Sequence, residues 1–196
     1  MKNGHYLLLR ASATHLPLRD NAVSLVLATP PYLGERSFSP QDCCTPSPDR
    51  YARIVSSFLD EAARIVRPGG HILLSTTSKP LPGTKGRRRV LFEIFRKART
   101  RNGRRRCKRV DFLELSARFA AVKGYAWQAL PVWLYEVLLR QYSEPGETFA
   151  HVFSGSGNAA LAAFKLSRRP ILVDLHYHSL VRRRLNRRLG PSRPER

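Results

Sequence analysis

The sequence predicts one α/β domain built on a mainly parallel, doubly wound sheet. Three observations lead there. Short, almost continuously apolar runs recur along the chain, as strands covered on both faces require. Segments of helical period stand between them. A length of 196 residues with 42% hydrophobic content suffices for one sizeable core and leaves no room for a second full domain, so residues 1–196 read as one unit.

The strands come first. His5–Arg10 (HYLLLR), Val23–Ala28 (VSLVLA), His71–Thr76 (HILLST), Thr148–Phe153 and Pro170–Leu175 are the five strand candidates. Asp49–Val66 is the first helix: Tyr51, Ile54, Val55, Phe58, Leu59, Ala62 and Ile65 repeat at three and four residues, and Pro68-Gly69-Gly70 supplies the stop. Val132–Tyr142, Asn158–Leu166 and His178–Leu189 are the other helices. Leu33–Asp49 has no period and reads as a long loop, of the kind that carries function. Trp127 and Trp133 are expected in the core.

Charge is the strongest compositional feature. The net value is +21, so the chain should associate with polyanions, nucleic acid first. An anionic membrane would call for one amphipathic basic helix, which the arginines do not trace. Residues 79–109 hold fourteen Lys or Arg against one acid, Glu93, and read as a basic insert. Within and beside it, Arg87, Arg88, Arg89, Arg96, Lys97, Arg104, Arg105 and Arg106 are the expected DNA contacts, mostly to phosphate. Phe92 and Phe95 are interleaved with them. RNA carries the same phosphates and stays open as a partner. A second basic stretch, Arg182–Arg196, ends the chain. No signal-peptide layout opens it, no apolar run reaches membrane-spanning length, and a cytoplasmic location is expected. Cys43, Cys44 and Cys107 lack disulfide or zinc spacing, and His176 and His178 suit a helix entry better than a metal.

Two clusters carry chemistry. A strand runs into Phe153-Ser154-Gly155-Ser156-Gly157-Asn158 and then a helix. Glycines there allow a tight turn and close approach to a ligand, and the helix start offers free N–H groups. Asp174 ends the next strand, where an acid can accept nucleoside ribose hydroxyls. The second cluster, Thr29-Pro30-Pro31-Tyr32, leaves the strand VSLVLA at the end where open α/β sheets bind ligands. An exocyclic base amine is a weak nucleophile, because its lone pair is delocalised into the ring. Acceptors on its N–H bonds, here the Thr29 side chain and the Pro30 carbonyl, would free that pair. Tyr32 would stack on a base drawn out of the duplex.

Asp20–Tyr32 (DNAVSLVLATPPY) resembles the catalytic motif of the amino-methylating DNA methyltransferases, which modify N4 of cytosine or N6 of adenine. Pro145–Gly157 (PGETFAHVFSGSG) resembles their cofactor motif, and Arg168–Leu175 (RRPILVDL) the motif that follows it. Arg64–Gly70 is similar to their usual helix end. The order, catalytic before cofactor, looks like the permuted β class. The resemblance implies a Rossmann-like S-adenosylmethionine-dependent methyltransferase fold with a seven-stranded sheet and one antiparallel hairpin, whose two strands not yet placed are expected near Tyr125–Leu130. It implies Thr29, Pro30, Pro31 and Tyr32 as catalytic, with Ser12, His151, Phe153, Ser154, Gly155, Ser156, Gly157, Asn158 and Asp174 holding S-adenosylmethionine. It also implies target recognition in residues 79–109. Threonine at the first catalytic position leans toward cytosine N4. The chain departs from the family at three places: His151 stands where an acid usually faces the methionine amine, Ala11-Ser12 replaces Gly-Asp, and Asn158 replaces threonine. A neutral histidine is a poorer partner for an ammonium group. The rival reading is therefore a catalytically weak DNA-binding protein with this fold; a third is an RNA methyltransferase.

Overall fold

The computed structural model describes residues 5–30, 47–80, 82–83, 87–98, 107–118 and 129–189; the side chains of 77–80, 87 and 189 lie outside that description. In chain order the elements are β1 (Leu7–Leu9), β2 (Val23–Ala28), α1 (Pro48–Ile65), β3 (Val66–Pro80), β4 (Arg87–Lys97) and β5 (Cys107–Arg118). Then follow α2 (Val132–Tyr142), β6 (Thr148–Val152), α3 (Asn158–Lys165), β7 (Arg169–Val173) and α4 (His178–Leu189). One seven-stranded sheet runs in the order β1-β7-β6-β2-β3-β4-β5. Its first five strands are parallel, and β4 and β5 join antiparallel.

The five sequence-expected strands and four helices are all present. Every residue of β2 is buried, which is why its sequence shows no alternation. Leu25, Leu27, Leu73 and Phe149 face α2 and α3. Val26, Ala28, Ile72, Leu74, Ala150 and Val152 face Phe58, Ala62 and Ile65 of α1. α4 closes the β1–β7 edge, burying Val181 and Leu185 against Leu172 and Ala160.

Four expectations need correction. The missing strands are β4 and β5, and residues 87–97 of the basic segment are part of the central sheet; of the region around Tyr125–Leu130, residues 125–128 lie outside the described residues. Val90, Phe92 and Ile94 alternate into the core beneath the flanking arginines. Pro68-Gly69-Gly70 lies past the end of α1 at Ile65 as an irregularity within β3, where pairing with β2 jumps from Val66 to His71 and Gly69 has φ of 83°. Gly70 serves close packing instead: a Cβ there would lie 2.4 Å from the Ser24 carbonyl oxygen. Trp133 is 46% exposed on α2, whose inward face is Leu134, Tyr135, Leu138 and Leu139. Trp127, Cys43 and Cys44 lie outside the described residues. Among the described residues, no helix is long and apolar enough to cross a membrane.

Candidate active site at the carboxyl ends of the parallel strands

Sheet order places the site. β2 leads through α1 to β3 on one side, whereas β6 leads through α3 to β7 on the other. The winding therefore reverses between β2 and β6, where an open α/β sheet forms a crevice. Ala28, Val152, Val173 and Leu9 lie in register across four strands. The next row is Thr29, Phe153, Asp174 and Arg10. It is held by Thr29 N donating to Val152 O (3.4 Å), Ser154 N to Val173 O (3.1 Å) and Asp174 N to Leu9 O (3.1 Å).

The glycine cluster forms the expected tight turn into α3. Phe153, Gly155 and Gly157 have φ of 58°, 51° and 76°, a region natural to glycine and costly for phenylalanine. Phe153 is held by an edge-on contact with Phe58, centroids 5.9 Å apart. Gly157 is needed twice over, since a Cβ there would also come within 3.1 Å of Val181 Cγ1. Arg184 of α4 donates to the Ser156 carbonyl and anchors the turn from below.

Asp174, buried, ties this turn to α4. Its Oδ2 accepts from Gly155 N at 2.7 Å, and its Oδ1 accepts from His176 N at 2.9 Å and Tyr177 N at 2.7 Å. The two carboxylate oxygens offer about four lone-pair sites in all, so capacity remains for a ligand hydroxyl. His178 sits in the first turn of α4 with Nε2 3.4 Å from Leu8 O, a contact of the helix entry. Ser12 is exposed in a turn, where its Oγ meets Thr14 Oγ1 at 2.9 Å and accepts from Thr14 N at 3.3 Å.

Across the crevice, Thr29 Oγ1 donates to Phe153 O at 3.3 Å and lies 3.3 Å from His151 Nε2. His151 is 1% exposed and packs edge-on against Tyr135 of α2, centroids 5.1 Å apart. Burial pushes its pKa down to about 3, so the ring is neutral at physiological pH. Among the described residues, three buried polar atoms around the crevice have no hydrogen-bond partner: His151 Nδ1, Ser154 Oγ and Asn158 Oδ1. Asn158 Nδ2 meanwhile donates to Leu130 O at 2.7 Å. Unpartnered polar atoms clustered at a sheet end fit a polar ligand, which would complete them. Pro30 is buried beside Thr29, while Pro31 and Tyr32 lie outside the described residues.

The cations expected on DNA divide unequally. Lys97 is a correction: it is buried, and its Nζ donates to Val66 O (2.7 Å) and Asn21 Oδ1 (2.8 Å), so it is a structural strut. Arg89 is ion-paired with Glu114 at 3.1 Å, and Arg88 is half-buried. Arg96 is exposed on β4. Arg104, Arg105, Arg106 and the side chain of Arg87 lie outside the described residues. Sequence reasoning missed Tyr135 and Arg184. Tyr135 reads as one more apolar position of α2, and nothing in the run Arg182-Arg183-Arg184 marks which arginine turns inward.

No protein-family model matches the sequence, and no curated protein matches it. Solved structures do. TTHA0409 of Thermus thermophilus, classed as a DNA modification methylase and crystallised with S-adenosyl-L-methionine, superposes with a TM-score of 0.56 at 18% identity. The match covers 94% of this chain and 96% of that one. PvuII DNA methyltransferase, cytosine-N4-specific, gives 0.56 at 14% identity over 92% and 88% of the two chains. The M1.HpyAVI complex with S-adenosylmethionine gives 0.53 at 15% identity over 92% and 99%. The chain has the fold of these proteins across nearly its whole length.

Proposed function

We propose that this protein transfers a methyl group from S-adenosylmethionine to the exocyclic amine of a DNA base. One observation carries the reading: the switch point brings Thr29 and Pro30, at the end of β2, against the Phe153–Asn158 turn at the end of β6. The catalytic and cofactor motifs that the sequence resembles are thereby set on the two walls of one crevice. S-adenosylmethionine, when bound, supplies a methyl group already activated by the sulfonium. The turn N–H groups, Ser154, Asn158 and Asp174 would hold it, with Asp174 taking ribose hydroxyls. Thr29 Oγ1 and the Pro30 carbonyl accept the two N–H bonds of the target amine, and Tyr32 stacks on the base. Positioning of this kind supplies much of the rate.

Cytosine N4 is the proposed target atom, on the strength of threonine at the first catalytic position and the cytosine-N4 specificity of one structural neighbour. Phosphate contacts fall to Arg96 and to Arg182, Arg183, Arg187 and Arg188, the exposed arginines of α4, which form no ion pair among the described residues. The test is incorporation of labelled methyl from S-adenosylmethionine into DNA, with mass spectrometry of the digested nucleosides. N4-methylcytosine is expected, and Thr29→Val should reduce it at least tenfold. N6-methyladenine would move the target atom, and label in RNA alone would move the substrate. No label in either, with DNA still bound, would leave a DNA-binding protein on a methyltransferase fold.

A further inference from the structure

The departure at His151 is a device of this chain. We infer that His151 is a positioning residue: its Nε2–H donates to Thr29 Oγ1 and fixes that hydroxyl as a pure acceptor for the target amine. The inference rests on the methyl-transfer reading for its purpose, but its geometry stands alone.

The available protons fix the tautomer of the ring. Thr29 has one hydroxyl proton and, among the described residues, two hydrogen-bond neighbours, Phe153 O and His151 Nε2, each at 3.3 Å. Phe153 O can only accept, so a hydrogen bond there requires the threonine proton. His151 Nε2 must then carry a proton and donate it to Oγ1. The neutral ring has only one, so Nδ1 is left bare, and Nδ1 is the buried ring nitrogen that has no partner among the described residues. In the opposite tautomer Thr29 would donate to Nε2 and abandon Phe153 O. It would also leave an N–H orphaned at Nδ1, and orphaned buried N–H groups are rarer than unsatisfied acceptors. The Nε2–H form makes two bonds where the other makes one.

The consequence falls on the target. A threonine hydroxyl is ordinarily ambivalent and could donate to the amine nitrogen, tying up the lone pair that must react. With its proton held by Phe153 O and one lone pair held by His151, Oγ1 has a single remaining lone pair, able only to accept an amine N–H. By strand alternation Thr29 follows Leu25 and Leu27, and His151 follows Phe149, so both side chains face the α2 layer, where Tyr135 backs the imidazole.

The first measurement is nitrogen NMR of the histidine rings in the free protein, with His151 assigned by difference from His151→Phe. A protonated, pyrrole-type Nε2 and a bare, pyridine-type Nδ1 at neutral pH are expected. A protonated Nδ1 overturns the inference, whatever the protein catalyses. The second is a double-mutant cycle in the methylation assay. His151→Phe should lower kcat at least tenfold with KM for DNA unchanged, and His151→Phe combined with Thr29→Val should be no slower than Thr29→Val alone. Additive losses would mean that His151 acts independently of Thr29, and the inference would fall. A wild type that methylates nothing while showing the Nε2–H ring would refute the methyl-transfer reading and leave the hydrogen-bond assignment intact.

Discussion

Acidification should weaken this fold through His151 by an amount the structure sets. The ring is buried, faces Thr29 and Tyr135, and has its pKa lowered from 6.5 to about 3 by loss of hydration. In the unfolded chain it regains the ordinary value. Between the two values the unfolded state takes up a proton that the native state excludes. His151 therefore leaves stability intact above pH 6.5 and removes it progressively as the pH falls toward 3. The slope is ~1.4 kcal/mol per pH unit, so going from pH 6.5 to pH 5 removes about 2 kcal/mol. That is a sizeable share of the ~5–15 kcal/mol by which domains are stable. The half-buried His71, whose pKa is also lowered by burial and by Arg96, contributes in the same direction. It does so equally in a His151→Gln variant and cancels in the comparison. Urea unfolding of both proteins at pH 7.5, 6.5, 5.5 and 5 is the assay. The difference in stability should shift toward the variant by about 2 kcal/mol across the series. A difference flat with pH would mean that His151 is protonated in the native protein or already solvated, and the neutral-ring argument would fail.

Further outcomes follow from the packing. Gly70→Ala would push a Cβ to 2.4 Å from the Ser24 carbonyl, a backbone atom that cannot move alone; a loss of about 2 kcal/mol in chemical denaturation is expected. Arg168, buried with no acidic partner among the described residues, donates to Leu166 O at 2.6 Å and Ser143 O at 2.6 Å and binds the end of α2 to β7. Arg168→Ala should cost about 3 kcal/mol by the same measurement, because those carbonyls lose a charged donor. Replacing Arg182, Arg183, Arg187 and Arg188 with glutamine should lower the slope of log affinity for duplex DNA against log salt by up to about 3–4, equally for all sequences. An unchanged slope would remove α4 from the DNA surface.

The parallel half of the sheet was legible because burial on both faces writes an uninterrupted apolar run, VSLVLA being the clearest. The antiparallel half was not. In RRRVLFEIFRK the cations at both ends dominate the composition, and the alternation of Val90, Phe92 and Ile94 is easily read as an interrupted charge run. Lys97 shows the limit of charge counting. Its stem and ammonium are buried, and only the fold reveals that Val66 O and Asn21 wait for it. The glycine turn and Asp174 were legible because a tight turn restricts which residues can occupy it. The bond between Asp174 and Gly155 N shows what the spacing also serves, the joining of turn to helix α4.

The contact between Thr29 and His151 lay beyond any local pattern. Thr29 and His151 are 122 residues apart and stand in separate motifs, Thr29 as a position that matches and His151 as one that departs. Sheet order makes β2 and β6 neighbours, register puts Leu27 opposite His151, and alternation turns both side chains to one face. Those constraints do not depend on which strand comes first in the chain, so a permuted order of motifs builds the same crevice. They also make His151 and Thr29 one unit. In the proposed methyl transfer, a histidine where the resembled motif has an acid has a proton to direct at Thr29, so the two positions act together.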